Sequence, residues 1–410
     1  MIYREKWIKN PVSAILQCFR DVIIYYTPFL KIPKWLLGKI YKVVPRFIFL
    51  VHPRRSEDIF IALPFLSILR KVLSKKKAMK LIKLIPPFVL STIKTSSGTE
   101  GVVVSSLFLP DSLMDNRRKT LKEYFRVLKF AKKIGGENVV LGLGAWWPIV
   151  TRRGLALRDV AEQKKIKVTN GHTGTLISLF LMIKRIAQIS DINVSDLKIA
   201  IIGAGKMGTN LGRALAGGVA ELGIIDINER RLSRFVDNVG GNKCSTNMRK
   251  ILRENGTDLK RILNSYHLAV CVTSNARRII DKSEIPSNFI IIDDSRPEAI
   301  SRDGYKENKI VLEGGLINIE KIISSYDFGF GIDQNVFGCL AETYMVALDR
   351  GEKLDPTYGD VDIENFHKML NFCKENDIRG GDFKSQDILI SEDKIRSVMH
   401  KREIEMVKKK

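Results

Sequence analysis

Two stretches of this 410-residue chain carry residues whose types and spacing suit chemistry. In residues 197–223, five apolar residues run into Gly203-Ala204-Gly205-Lys206-Met207-Gly208, and a helical pattern follows. A strand that ends in GxGxxG at the start of a helix is the fingerprint of a dinucleotide pyrophosphate site. Gly203 permits the tight turn, Gly205 lets the backbone approach the phosphates, and Gly208 lets the helix pack close to the strand. Lys206 and Met207 sit inside the loop, where the helix N-terminus offers free N–H groups to the phosphates.

A second strand, at 223–227, brings Asp226 to the place where a carboxylate accepts hydrogen bonds from the adenosine ribose of NADH. Arg230 and Arg231 follow and could instead reach the 2′-phosphate of NADPH, so both cofactors stay open. Later apolar runs end in Thr273-Ser274-Asn275, in Ser295-Arg296-Pro297 and in Glu313-Gly314-Gly315. Strand C-terminal ends ring the ligand in open α/β sheets, so Thr273, Asn275 and Gly315 join the cofactor set. Arg296 is either a solvated loop cation or a partner for an acidic group.

The other stretch is 333–348, where Cys339 opens an apolar helix. A thiol in the first turn of a helix feels the positive end of the macrodipole, which favours the nucleophilic thiolate. The alternative is a small buried hydrophobe. The remaining cysteines, Cys18, Cys244, Cys271 and Cys373, show no CxxC and no metal-like spacing with the five histidines. No metal site or disulfide framework is expected, and a reducing, cytoplasmic setting is the default.

These residues need a scaffold. Strand-like and helical runs alternate from about residue 92 to residue 169, which points to an α/β layer with a parallel sheet. A long helix, apolar on most sides, follows over 171–188. Residues 111–133 read as one basic amphipathic helix, and Trp146 and Trp147, beside a Gly-rich turn, read as either substrate-channel lining or core. The fold expected is thus a Rossmann domain joined to a second α/β domain, with a basic helical N-terminal extension. The segments are a basic amphipathic extension at 1–46, a substrate domain at 47–195 and a Rossmann domain at 196–318. A helical segment with Cys339 at 319–393 and a basic tail at 394–410 complete the chain.

An apolar content of 45% excludes a disordered chain, and the net charge of +23 is the unusual figure. It is concentrated at the ends, with +15 in residues 1–95, +5 in residues 394–410 and only +3 between them. The basic ends predict an anionic partner. The first 46 residues mix Trp7, Tyr25, Tyr26, Phe29 and Trp35 with lysines, as helices lying in a lipid headgroup layer do; packing on the protein's own body is the alternative. The longest apolar run, 59–69, is about half the length of a spanning helix. No recognisable nucleic-acid module accompanies the basic residues, so no nucleic-acid partner is expected.

Taken in order, the motifs from about residue 47 to residue 382 resemble the long-chain acyl-[acyl-carrier-protein] reductases, the fatty-aldehyde-forming enzymes of cyanobacteria, with a Rossmann domain like that of shikimate dehydrogenases. The resemblance rests on Leu107-Phe108-Leu109-Pro110 with Arg117-Arg118, Asn170-Gly171-His172-Thr173, the glycine loop, Leu312-Glu313-Gly314-Gly315, and Val336-Phe337-Gly338-Cys339-Leu340-Ala341-Glu342. It implies NAD(P)H-dependent reduction of a fatty acyl thioester, carried by acyl carrier protein or coenzyme A, to a fatty aldehyde. Cys339 would take the acyl group, and His172 would be a proton donor or carbonyl polariser, or else a helix-cap histidine. The family uses NADPH, with an arginine just after the second Rossmann strand; here Asp226-Ile227 stands there, and Asp294-Ser295-Arg296 replaces its Gly-Gly-Tyr. For such an enzyme the basic ends suggest peripheral binding at the inner face of an anionic membrane. Two other readings remain: a Rossmann dehydrogenase of a small metabolite with Cys339 inert, and a non-catalytic, membrane-associated NAD sensor.

Overall fold

The computed structural model describes residues 11–408 except 28–32, 54, 116, 241–244, 255, 275–278, 296–297, 301–307, 325–333, 351 and 386–387. The chain divides into two compact units. The first holds the chain up to Gly174 and then Ile319–Asp377; the second holds Thr175–Asn318 and Ile378–Lys410.

The first unit begins with helices α1 (Pro11–Tyr26) and α2 (Lys34–Tyr41), then strands β1 (Phe47–Val51), β2 (Phe88–Lys94) and β3 (Gly101–Ser105). Helix α3 (Arg117–Gly135), β4 (Val140–Leu143) and β5 (Lys167–Thr169) follow. Helix α4 (His172–Ile189) carries the chain into the second unit. There β6 (Lys198–Ile202), α5 (Lys206–Leu215), β7 (Glu221–Asp226), α6 (Glu229–Val239) and β8 (Asn247–Leu252) form one half-sheet with its helices. Strands β9 (Leu268–Cys271), β10 (Phe289–Asp293) and β11 (Lys309–Glu313) form the other. The chain then returns to the first unit through β12 (Ile323–Ser324), α7 (Gly338–Leu348) and α8 (Ile363–Glu375), and ends in the second with α9 (Glu392–Val407).

The sheet of the first unit runs β12-β2-β3-β1-β4-β5. Strands β3, β1, β4 and β5 are parallel, β2 is antiparallel to β3, and β12 is antiparallel to β2. The second sheet, β11-β10-β9-β6-β7-β8, is parallel throughout. Its order reverses at β6, which pairs with both β7 and β9; that is the doubly wound order, with the ligand crevice at the switch point. β9 and β10 are buried along their whole length, which explains why they read as unbroken apolar runs rather than alternating ones. Both units are α/β, and the second is the Rossmann domain that the glycine loop predicts.

Three features differ from the sequence reading. Residues 111–133 form two helices, Pro110–Asp115 and α3, rather than one. The second unit begins inside α4, which is continuous across the boundary and buries Leu176, Ile177, Leu179, Met182, Ile183 and Ile186 completely. And the basic C-terminal segment is helix α9 of the second unit, with Ile395, Val398, Met399 and Arg402 buried. Arg402 reads as tail charge in sequence, yet its guanidinium donates to the carbonyls of Tyr266 at 2.9 Å and Leu263 at 2.8 Å and lies 5.0 Å from the centre of the Phe289 ring.

The described part of the N-terminal extension is likewise built into its unit. Asp21, fully buried, accepts hydrogen bonds from Arg20, from the Tyr41 hydroxyl at 2.8 Å and from the Val89 N–H of β2 at 2.7 Å. Lys133 donates to the carbonyls of Ile24 and Tyr25, each at 2.8 Å, and to that of Thr27, which satisfies the C-terminus of α1 with a cation.

Arg402→Ala takes its donor from the Tyr266 carbonyl, leaves the Leu263 carbonyl with only the Tyr266 N–H and removes the packing over Phe289, so it should lower the unfolding free energy by about 3 kcal/mol. Denaturant unfolding checks this; a loosely attached tail would show no change.

Candidate active site

The glycine loop connects β6 to α5 in the second unit. Gly203 has φ +114°, and a Cβ there would sit 2.9 Å from the Val272 carbonyl oxygen of the neighbouring strand end. At Gly208 a Cβ would fall 1.9 Å from the Gly203 oxygen, so only glycine lets α5 start this close to the turn. Gly205, the N-cap of α5, is different: nothing lies within 4 Å of the Cβ position. That open side of the loop, at the N-terminus of a ten-residue helix, has room for a pyrophosphate. Lys206 is exposed and Met207 half-buried in the first turn.

Asp226 ends β7 beside this loop. One carboxylate oxygen accepts from the Ala204 N–H at 2.7 Å and the other from the Asn228 N–H at 2.9 Å. The side chain therefore ties the glycine loop to the β7–α6 turn and is fixed in direction. Thr273 follows β9, and its N–H donates to the Ser295 hydroxyl at 3.1 Å. Gly315, with φ +78°, lies next to the Asp294 carboxylate, 2.5 Å from its Cβ position. Asn275 and Arg296 lie outside the described residues, as does Cys244.

Cys339 lies in the first unit, second residue of α7, with Phe337 as the helix N-cap. It is half-buried, whereas the other described thiols, Cys18, Cys271 and Cys373, are buried. Burial pushes those three thiols up to about 11, about 12 and about 12, with Asp21 and Asp293 adding to the first two, so none of them is primed as a nucleophile. The backbone of Gly171 (φ +76°) packs directly on Cys339: a Cβ at residue 171 would be 2.3 Å from the Cys339 Cβ. One turn on, a Cβ at Gly174 would be 2.1 Å from the Gly338 oxygen. Two helix starts, α4 and α7, thus meet backbone to backbone.

Glu342 locks this junction. Its carboxylate is fully buried and accepts from the Gly174 N–H at 2.8 Å, from the Thr357 N–H at 3.2 Å and from the Thr169 hydroxyl. Burial raises its pKa, and these hydrogen bonds work in the opposite direction. Asn170 supplies a second tie: its side-chain amide donates to the carbonyls of Arg153 and Gly359, and its oxygen accepts from the His172 N–H. His172 therefore begins α4 in a fixed place next to the residue that packs on Cys339. Burial, with the Arg153 cation adding to it, lowers its imidazole from 6.5 to about 4. At neutral pH it is an uncharged ring, suited to polarising a carbonyl through N–H rather than to delivering a proton as imidazolium.

Of the residues predicted from sequence, the glycine loop, Asp226, Thr273 and Gly315 stand at strand ends of the second unit, and Cys339 and His172 stand at two touching helix starts of the first. Trp147 is fully buried and belongs to the core, with Trp146 packed against it. Sequence reasoning passed over Glu342, Thr169 and Thr357. It also missed His52 at the end of β1, whose Nε2 accepts from the Trp146 N–H at 3.1 Å while Nδ1 lies 2.9 Å from the Pro53 carbonyl oxygen. That pair of partners requires the Nδ1–H tautomer. The one available signal was Glu342, the only charged residue of the helix Gly338–Leu348. Among the described residues no group of three or more His, Cys, Asp or Glu could hold a metal.

Residues 161–309 match the family model for shikimate / quinate 5-dehydrogenase. No curated protein matches the chain. Among solved structures, the chain is similar to L-tryptophan dehydrogenase from Nostoc punctiforme, at 12% identity over 87% of each chain with a TM-score of 0.36. Others are 5-ketofructose reductase of Gluconobacter sp. strain CHM43 (10% identity, 80% of this chain and 98% of that one, TM-score 0.36) and shikimate 5-dehydrogenase from Listeria monocytogenes (11%, 80% and 96%, 0.35). The matched segment contains the glycine loop and most of the doubly wound sheet. Residues 161–309 are thus a shikimate dehydrogenase-like NAD(P)-binding domain.

The depressed His172 pKa has a thermodynamic consequence. The unfolded chain takes up this proton near the ordinary value of 6.5 and the folded chain only near 4, so the group costs stability increasingly as the pH falls through that window. Relative to His172→Gln, the wild type should lose up to about 3 kcal/mol of unfolding free energy on going from neutral pH to about pH 4. Parallel denaturant titrations of the two proteins check the sign; a constant gap contradicts it.

Proposed function

We propose that the protein reduces a fatty acyl thioester, presented on acyl carrier protein or coenzyme A, to a fatty aldehyde, with NADH as the reductant. The observation that carries this reading is the setting of Cys339. Among the described thiols it is the half-buried one, it stands in the first turn of an eleven-residue helix, and a glycine backbone is pressed against it. The motif around it, Val336-Phe337-Gly338-Cys339-Leu340-Ala341-Glu342, is the one through which the chain resembles acyl-[acyl-carrier-protein] reductases.

In the first stage the Cys339 sulfur attacks the thioester carbonyl, the carrier thiolate leaves and takes up a proton, and an S-acyl enzyme results. NADH supplies a hydride to the acyl carbon when bound. The chain's own groups then act on the tetrahedral thiohemiacetal: His172, uncharged, donates a hydrogen bond to the developing oxyanion, and the C–S bond breaks to return the Cys339 thiolate and release aldehyde. Asp226 supports NADH over NADPH, because a carboxylate fixed by two backbone N–H groups cannot swing away from a 2′-phosphate.

The match of residues 161–309 to shikimate / quinate 5-dehydrogenase favours a second reading, a dehydrogenase of a small hydroxylated metabolite in which Cys339 takes no part. Cofactor oxidation with acyl thioesters of several lengths separates the two. Under the thioester reading Cys339→Ser loses on the order of a thousandfold or more in kcat/KM. Retention of full activity by that variant, or turnover of small metabolites alone, contradicts it.

The cofactor choice is tested separately. Asp226→Asn keeps an acceptor oxygen and removes the charge, and it should raise the ratio of NADPH to NADH use about tenfold. An unchanged ratio would show that Asp226 does not set the preference.

A further inference from the structure

Helix α1 has an unusual distribution of apolar residues. Its inner side is spoken for: Cys18, Ile24 and Tyr25 are buried, Asp21 is bonded to β2 and α2, and Lys133 caps its C-terminus. Its outer side carries Leu16, Phe19, Ile23 and Tyr26, each at least 58% exposed. Spacings of three, four and three residues place these four on one face of the helix. A surface helix of a globular unit ordinarily turns a polar face to water, and α1 does not.

The surroundings of α1 continue this surface. Cys18 shares a core cluster with Ile59, Leu63, Leu66, Ile82 and Phe88, so the short helices Ser67–Val72 and Lys75–Ile82 are its neighbours in the first unit. On their outer sides Ile68, Val72 and Leu84 are again mostly exposed, as is Trp35 at the start of α2. Around them lysines predominate, with Glu57 and Asp58 on the helix Ser56–Ala62 and Asp115 near Lys83 as the acidic neighbours. Residues 59–99 contain eight Lys and Arg and not one Asp or Glu, and Lys76, Lys77 and Lys80 are exposed on the second short helix. Lys39 lies 5.2 Å from the centre of the Trp35 ring. The platform is anchored from below: Arg126 of α3 donates to the carbonyls of Lys83 at 3.1 Å and Leu84 at 2.8 Å.

We propose that the outer face of α1, with the helices Ser67–Val72 and Lys75–Ile82, is a docking surface for an anionic phospholipid bilayer. The protein lies on the membrane: among the described residues no helix is long and apolar enough to cross one. The apolar stripe enters the boundary between headgroups and acyl chains, Trp35 and Tyr26 sit at headgroup level, and the lysines meet lipid phosphates. The charge pattern selects this occupant. A second copy of the chain would bring the same net-basic, lysine-rich surface against itself, whereas an anionic bilayer supplies both the apolar layer and the opposite charge. This inference stands on the surface alone and is independent of the chemistry assigned to Cys339.

Flotation of the full chain with phosphatidylcholine vesicles, with and without phosphatidylglycerol, tests it. Binding is expected to the phosphatidylglycerol vesicles and to weaken with salt. Lys76→Glu/Lys77→Glu/Lys80→Glu should lower the partition coefficient by about a hundredfold, and Phe19→Ser/Ile23→Ser by about tenfold or more. All five side chains point outward, and unchanged thermal unfolding of both variants confirms that the fold is kept. Failure of the wild type to float with anionic vesicles, or equal binding by both well-folded variants, overturns the proposal. So does a solution dimer that Phe19→Ser/Ile23→Ser dissolves while no vesicle is bound.

Discussion

The first unit depends on one steric constraint, the contact between the starts of α4 and α7. Residues 171 and 174 have no side chain because the backbone of Gly338 and Cys339 occupies the space that one would fill. Backbones that close must have their polar groups satisfied locally, and Glu342 does this by accepting from the first turn of α4, from the end of β5 and from the Thr357 N–H. A buried carboxylate is costly unless hydrogen-bonded, so the junction forms as a whole or not at all. Its product is a thiol held at a defined position by rigid helices rather than by a loop.

The second unit solves a different problem with a similar economy. Gly203 and Gly208 let strand, turn and helix close tightly, and Gly205 leaves one side of the loop open. Asp226 connects that loop to the next turn, and in the proposed function it also presents a negative charge to the adenosine ribose. On that proposal, one side chain couples the geometry of the glycine loop to the choice of cofactor.

Much of this was legible in the sequence, and the limits have physical reasons. The glycine loop was readable because its requirements are local: a strand, a turn with φ > 0 and a helix within a dozen residues. The helix beginning at Cys339 was readable for the same reason. Glu342 was not, because its partners Thr169 and Gly174 lie 173 and 168 positions away in the chain. The charged ends misled in a different manner. Composition registers a lysine or arginine without its direction, so Arg402, a fully buried cation bonded to carbonyls, was counted with solvated tail residues. At the N-terminus the same mixture of aromatic and basic residues divides into an inner face bonded to the unit and an outer face turned to solvent, a division that only the packing reveals.

The central claim is that Cys339 carries the acyl group, and a single-turnover chase addresses it most directly. The protein is mixed with an acyl thioester in the absence of reductant, part is quenched for mass analysis, and NADH is added to the rest. The account predicts an acyl adduct on the peptide containing Cys339 that disappears on NADH addition as aldehyde forms. NADH oxidation without any adduct, or an adduct on Cys18, Cys271 or Cys373 in its place, would contradict it.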